Sequence, residues 1–185
     1  MKASTAIASI MCGVCIAGWI VGVATGALFS TTDQVDDPEA AAMEQFQEAF
    51  RVALQTGGPD LAQAGRAANN IGAMLLSGGE LQRSQQWFDV AQCLSPEPWD
   101  ALANSAVILI HLGRQQQDTL MAVQAVDIYR RILAHQPNHW MSWSNLGVAL
   151  ADLGRYDEAA VAYRRALELS PGDANTAANL KAIGR

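Results

Sequence analysis

The chain repeats its own pattern at an interval of about 34 residues, the length of a helix–turn–helix repeat unit. A glycine and a proline mark each unit, at Gly79, Gly113 and Gly154 and at Pro96, Pro137 and Pro171. The intervals from Gly79 to Gly113 and from Pro137 to Pro171 are 34 residues. The intervals from Gly113 to Gly154 and from Pro96 to Pro137 are 41 residues. One unit of such a repeat cannot bury its apolar face alone, so neighbouring units have to stack. The spacing predicts three stacked units, of which the middle one carries seven extra residues.

The last unit carries the most specific motif. Its landmarks are Trp143, Leu146, Gly147 and Leu150, then Gly154 and Tyr156, then Ala159, Tyr163, Ala166 and Pro171. This pattern resembles the tetratricopeptide repeat (TPR), a unit of two helices joined by a turn, and departs from it only at Leu150 and Tyr163. The resemblance implies an all-α fold, a right-handed superhelix of helix–turn–helix repeats (an α-solenoid).

Start and stop signals divide the chain into segments. Asp37-Pro38-Glu39 is typical of a helix start, and Gly57-Gly58-Pro59 ends that helix. We expect a polar linker at 30–36, a leading helix at 37–56, TPR 1 at 65–98, TPR 2 at 99–139, TPR 3 at 140–173 and a capping helix at 174–185. The extra residues of TPR 2 fall between Gly113 and Ala125, where 114–118 reads as a loop and Asp118 as the cap of a helix starting near Thr119.

Residue sizes predict how the two helices of each repeat pack. Small residues face each other, Gly72, Ala106 and Gly147 opposite Ser84, Ala125 and Ala159, and aromatic residues fill the space beyond, at Phe88, Tyr129 and Tyr163. The landmark glycines Gly79, Gly113 and Gly154 are expected in the turns between the helices.

The amino-terminal segment predicts a membrane anchor. Residues Ile7 to Phe29 carry no charge, and a helix of this length, at about 1.5 Å per residue, is long enough for a bilayer core. A cleavable signal peptide is the alternative, with Ala24-Thr25-Gly26 as its cleavage site. The domain boundary predicted for this anchor, or uncleaved signal, is 1–29.

Flanking charges predict how the segment is oriented. Lys2 precedes the apolar segment and acidic residues follow it, which favours a cytoplasmic amino terminus and an extracytoplasmic TPR domain, periplasmic in a bacterium. Gly18, Gly22 and Gly26 recur every four residues, a spacing that lets membrane helices pack closely, although glycine is common in membrane spans generally.

Composition and motifs argue against nucleic-acid binding and catalysis. The net charge of −6 leaves no basic stripe to neutralise phosphates. Phosphate-binding glycine loops and metalloprotease motifs are missing from the sequence, so no enzyme activity, no cofactor, no metal and no small-molecule substrate are expected. His135 and His139 are separated by Pro137 and do not share a helix face, and Cys93 is expected to be a buried small residue.

The TPR resemblance implies a binding groove lined by the first helix of each repeat. Carried onto this sequence, its lining is Arg66, Asn69, Asn70, Ala73, Asp100, Asn104, Val107, His111, Ser144, Asn145, Val148 and Asp152. Asn70, Asn104 and Asn145 would form a ladder of amides that can bond both groups of a peptide unit. The alternative is that these asparagines bridge neighbouring helices. Of the positions that hold a carboxy-terminal carboxylate in co-chaperone TPRs, only Asn104 fits, which argues against that ligand.

These features together predict a membrane-tethered adaptor that binds a peptide or a partner protein. One alternative is a structural subunit of a membrane complex, held mainly by its transmembrane helix through Gly18 or Gly22. A second alternative, which rests on analogy of fold alone, is an accessory factor in cytochrome or pilus biogenesis.

Overall fold

The computed structural model describes residues 38–56 and 61–184, and this part of the chain is all-α. Its eight helices are α1 (Pro38–Thr56), α2 (Leu61–Ser77), α3 (Leu81–Leu94), α4 (Trp99–Gln116), α5 (Thr119–His135), α6 (Trp140–Asp152), α7 (Tyr156–Leu169) and α8 (Ala174–Ala182). Contacts divide the chain into two units, unit 1 up to Ala101 and unit 2 from Leu102 onward. Short turns join α2 to α3, α4 to α5 and α6 to α7.

The predicted membrane segment lies outside the described residues. Ile7–Phe29, with Gly18, Gly22 and Gly26, precedes α1, and Asp37, the expected cap of α1, also falls outside. Among α1 to α8, none has both the length and the apolar character that crossing a bilayer requires.

Unit 1 has a core of aliphatic and aromatic side chains from α1, α2 and α3. Phe46 of α1 packs edge to face on Trp87 of α3 with 5.0 Å between ring centroids, and both side chains are almost fully buried. An ion pair between Glu39 and Arg83 also joins these two helices. Between α3 and α2, the Ser84 hydroxyl donates a 2.7 Å hydrogen bond to the carbonyl of Gly72.

The predicted close approach of the two helices within a repeat is confirmed. A Cβ atom at Gly72 would lie 2.6 Å from the Phe88 ring, and one at Gly147 would lie 2.5 Å from the Tyr163 ring. Both rings are buried. Glycine at these two positions is therefore required by space, because each aromatic ring lies directly against the backbone of the facing helix.

The turn between α4 and α5 differs from the prediction. The sequence predicted Gly113 in the turn and a loop at 114–118, but α4 continues to Gln116 and only Gln117 and Asp118 connect the helices. Gly79 and Gly154 take positive φ in their turns, at 81° and 72°, whereas here Gln117 takes it at 55°. Gly113 serves close packing instead, since a Cβ there would lie 2.9 Å from the Asp118 carbonyl.

The seven extra residues of the middle repeat lengthen its two helices. α4 has 18 residues against 13 in α6, and α5 has 17 against 14 in α7. Asp118 caps α5 as predicted, because its side chain accepts a hydrogen bond from the Leu120 N–H. The insertion thus extends the helix pair.

The last helix, α8, closes unit 2 against α6 and α7. Asp173 caps it by accepting a hydrogen bond from the Thr176 N–H at 3.0 Å. Thr176 is fully buried, and its hydroxyl lies 2.5 Å from that of Ser144 in α6. This buried polar contact attaches the capping helix to the preceding repeat.

Candidate functional site

The predicted groove residues lie on α2, α4 and α6, the first helices of their repeats. In unit 1, Arg66, Asn70 and Asp100 are exposed, and Asn69 and Ala73 are half-buried. In unit 2, His111 is exposed, and Asn104, Val107, Asn145 and Val148 are half-buried. Asn104 and Val107 hold the positions in α4 that Asn145 and Val148 hold in α6, so the same pair of side-chain types recurs on both helices.

Ser144 is turned into the protein interior. Its side chain is buried and is hydrogen-bonded to Thr176, so it packs α6 against α8. Consecutive side chains on a helix point in directions about 100° apart, so Ser144 faces α8 while Asn145 faces elsewhere. The structure thus gives Ser144 a packing contact in place of the groove position predicted for it.

Asn145 takes part in a contact between three helices of unit 2. The Tyr129 hydroxyl of α5 donates a hydrogen bond to the Ala103 carbonyl of α4 at 3.1 Å, and Asn145 of α6 bonds to the same hydroxyl. Asn145 thus bridges neighbouring helices, which is the alternative role that the sequence offers for these asparagines. The binding of a peptide by the ladder of asparagines stays a prediction.

An ion pair that the sequence did not predict lies beside the groove residue Asp152. Arg114, near the end of α4, donates two hydrogen bonds to the Asp152 carboxylate, from Nε at 2.8 Å and from an Nη atom at 2.9 Å. Both side chains line a cavity of about 280 Å³ that includes Ile110, Gln117 and Asp118. This volume is just below the roughly 300–1,000 Å³ of typical ligand sites, so it has room for about one side chain of a partner.

Three predicted groove residues of unit 1 also come together. Arg66, Asn69 and Asp100 line a depression of about 40 Å³ that includes Ser95 and Glu97. The depression is much smaller than a typical ligand site. It can hold water and polar contacts at the surface of unit 1.

The histidines and Cys93 show no arrangement for metal binding or nucleophilic chemistry. Within residues 38–56 and 61–184, no group of three or more His, Cys, Asp or Glu side chains could hold a metal ion. His139 caps α6, since its Nδ1 accepts a hydrogen bond from the Ser142 N–H at 3.2 Å. Cys93 was expected to be buried, but it is exposed near the end of α3. Partial desolvation and the charge of Asp89 raise the pKa of its thiol, which disfavours the thiolate.

The two buried tyrosines Tyr129 and Tyr163 are expected to make the folded state less stable at alkaline pH. Burial, followed by the nearby Asp152 charge, raises the pKa of Tyr163 to about 12, and burial also raises the pKa of Tyr129. The folded state holds these protons more tightly than the unfolded state, so their stabilising effect is complete below pH ~10 and is lost as the pH rises toward about 12. We expect the free energy of unfolding to fall over this range by up to about 1.4 kcal/mol per pH unit for each tyrosine.

Urea unfolding at a series of pH values checks this prediction. Tyr163→Phe removes one ionising group and is expected to make the loss of stability between pH 10 and 12 shallower. Tyr156→Phe is the matched control because Tyr156 is 48% exposed, and it is expected to leave the slope unchanged. Equal slopes for the wild type and both variants would contradict the prediction.

Comparisons with known proteins agree with this helical arrangement. The tetratricopeptide-repeat family model matches residues 124–174, from within α5 to the start of α8. No curated protein sequence matches the chain significantly. The match identifies a tetratricopeptide-repeat sequence at residues 124–174.

Solved structures with the same fold share little sequence with it. The first TPR of Spaghetti (RPAP3), bound to the HSP90 peptide SRMEEVD, is 18% identical, covers 66% of this chain and 92% of its own, and has a TM-score of 0.56. The Arabidopsis OM64 TPR domain is 20% identical, covers 66% of this chain and 96% of its own, and has a TM-score of 0.57. MamA 41-end from Desulfovibrio magneticus RS-1 is 16% identical, covers 82% and 86%, and has a TM-score of 0.54.

Proposed function

We propose that this protein is an interaction adaptor that binds a segment of a partner protein along α4 and α6, the first helices of the repeats in unit 2. The observation that carries the proposal is the surface row of unit 2, formed by Asn104 and Val107 of α4 and by Asn145 and Val148 of α6. All four side chains are half-buried, and each helix contributes one amide and one valine side chain. The two valines offer apolar contact to the side chains of a peptide. The amide groups, of which Asn145 has one bond to Tyr129, offer their further hydrogen bonds to the peptide backbone.

The charges beside this row favour an internal segment of the partner over a free carboxy terminus. Arg114 is paired with the predicted groove residue Asp152, to which it donates two hydrogen bonds. Met141 and Asn145 stand where co-chaperone TPRs place residues that hold a terminal carboxylate. The TPR of RPAP3 is bound to a peptide, and we propose peptide binding here with a different ligand chemistry.

The proposal includes a membrane tether. It rests on the uncharged segment Ile7–Phe29. Lys2 before this segment and the acidic residues after it favour an extracytoplasmic TPR domain. Extraction of membranes with alkaline carbonate is expected to leave the protein in the pellet, with its amino-terminal segment present in the mass spectrum of the intact chain. A mature chain that begins after Gly26 and is released by carbonate would refute the tether.

Site-specific photo-crosslinking in native membranes tests the binding surface. A benzophenone amino acid at His111, which is exposed on α4, is expected to form an adduct with the partner, whereas the same group at Gln124, which is exposed on α5, is not. Val148→Asp, on the neighbouring helix α6, should lower the adduct yield from position 111 at least about tenfold.

Two results would refute the proposed groove. One is an equal adduct yield from positions 111 and 124, and the other is an unchanged yield after Val148→Asp in a chain whose circular dichroism is that of the wild type. Asn104→Asp is a second variant for the same crosslinking test. It places a charge at a half-buried position of the row without changing the size of the side chain.

A further inference from the structure

Unit 2 contains an apolar cleft that shares no residue with the predicted groove. The cleft lies between α5 and α7, with α6 beneath, and has a volume of about 290 Å³. Its apolar lining consists of Leu133 of α5, Trp143, Leu146 and Leu150 of α6, and Val161 and Ala162 of α7. Val161 is 61% exposed on the rim. Arg130 and Glu158 complete the rim, one from each flanking helix.

The first repeat shows which side chain occupies the corresponding space in unit 1. Each residue of the first repeat corresponds to the residue 75 positions later in the last repeat, as Gly79 does to Gly154 and Pro96 to Pro171. At this interval Ala162 corresponds to Trp87, whose ring is 2% exposed and packs on Phe46 between α3 and α1. An indole ring thus fills in unit 1 the position that alanine leaves open in unit 2.

Two further exchanges make the cleft of unit 2 apolar and accessible. Val161 corresponds to the exposed Gln86, so an apolar side chain replaces a polar one on the rim. Trp143 corresponds to Ala68 and supplies an aromatic wall from α6, but it stays half-buried. Its indole N–H donates to the Pro137 carbonyl at 2.8 Å, so the polar group of the ring is already bonded and apolar surface is what the ring offers a ligand.

The charges on the rim favour an acidic ligand. The Glu158 carboxylate accepts two hydrogen bonds from Arg155, both of 2.7 Å. Its contact with Arg130 is much longer, at 3.5 Å, and the Arg130 side chain is 52% exposed. A carboxylate of a ligand could therefore approach Arg130 more closely than Glu158 does, and a charge-assisted hydrogen bond of ordinary length would be stronger than this contact.

We propose that the cleft is a second docking site, which takes an aromatic side chain, flanked by a carboxylate, from a segment of a partner protein. The ring enters the space that Trp87 fills in unit 1, and it contacts Trp143 and the aliphatic walls. The carboxylate pairs with Arg130. A volume of about 290 Å³ lies at the lower limit of ligand sites and therefore suits one anchoring side chain.

Nuclear magnetic resonance of the full chain, with its indole groups labelled with ¹⁵N, tests the site. The probe is a synthetic, unlabelled peptide, acetyl-Ser-Gly-Asp-Trp-Asp-Gly-Ser-amide. The Trp143 resonance, assigned with Trp143→Phe, is expected to shift with a saturable dependence and a Kd of about 1 mM or tighter, a range suited to one anchor. The Trp87 resonance is expected to stay in place, because Trp87 is enclosed in unit 1.

Matched variants identify the cleft as the place of binding. Val161→Lys should weaken the binding at least about tenfold, whereas Leu120→Lys, at a residue 67% exposed on α5 and outside the cleft, should leave it unchanged. Ala162→Trp should abolish binding by filling the cleft from within the chain, while the Trp87 resonance keeps its position.

Control peptides test each part of the ligand. Replacing the peptide's tryptophan by alanine should abolish the shift of Trp143, and replacing its two aspartates by lysines should weaken binding several-fold. The proposal is overturned if Trp143 shows no saturable shift, if Val161→Lys and Leu120→Lys weaken binding alike, or if the lysine peptide binds as tightly as the aspartate peptide. Because no groove residue takes part, these results are independent of the photo-crosslinking from position 111.

Discussion

Trp87→Ala is expected to lower the free energy of unfolding by about 3–5 kcal/mol, the usual cost of removing a large buried aromatic side chain. Trp87 is 2% exposed, and its ring meets that of Phe46 edge to face with centroids 5.0 Å apart. The alanine variant loses the transfer energy of the indole ring and leaves a cavity between α1 and α3. Urea unfolding, followed by circular dichroism in the far ultraviolet, measures the effect.

Two control variants separate this packing effect from a general effect of substitution. Trp87→Phe keeps an aromatic ring beside Phe46 and is expected to lose less than half as much stability. Tyr156→Ala removes an aromatic ring that is 48% exposed and should cost no more than about 1 kcal/mol. If Trp87→Ala lost as little stability as Tyr156→Ala, the contact between Trp87 and Phe46 would not hold α1 against α3.

The close approach of the two helices in the first and last repeats could be predicted from residue sizes. Gly72 and Gly147 were expected to let two helices approach, and in each case the aromatic ring of the partner helix leaves no room for a Cβ atom. The prediction succeeded because each contact joins two consecutive helices, close together along the chain, and because only glycine leaves room for a ring against a helix backbone.

The same reasoning failed at Gly113 because the spacing of landmarks does not show where extra residues go. Seven residues are about two helical turns, so they can extend two helices without changing which faces are buried. α4 and α5 take up the insertion in this way, which places Gly113 inside a helix and moves the positive φ to Gln117. Polar residues at 115–117 read as a loop in the sequence, although the exposed end of a helix has the same composition.

The candidate site could be predicted only as far as helix positions. Sequence periodicity placed the asparagines on first helices, but it could not show that Asn145 bonds to Tyr129 or that Ser144 faces Thr176. Arg114 was missed because its partner, Asp152, lies in the next repeat, and no local pattern reports such a distant pair. The space of the cleft beside Val161 opens because Ala162 stands where the first repeat has Trp87, and this consequence becomes visible only when the helices are packed.

Gly147→Ala is expected to lower the free energy of unfolding by about 1–3 kcal/mol, although alanine favours a helix more than glycine does by about 1 kcal/mol. The new Cβ atom would lie 2.5 Å from Cε1 and 2.6 Å from Cδ1 of Tyr163. The ring cannot turn away freely because the side chain is 2% exposed, so α6 and α7 have to separate. Urea unfolding measures the loss.

A control glycine and a second substitution determine whether this ring causes the loss. Gly172→Ala, at a glycine with no neighbour within 4 Å of the new Cβ atom, is expected to be neutral or slightly stabilising. Tyr163→Leu removes the ring, so in its background Gly147→Ala should cost much less than it does alone, whereas in the background of Tyr163→Phe the ring remains and the cost should persist. If leucine and phenylalanine backgrounds gave the same cost, the close approach of α6 and α7 would not depend on the Tyr163 ring.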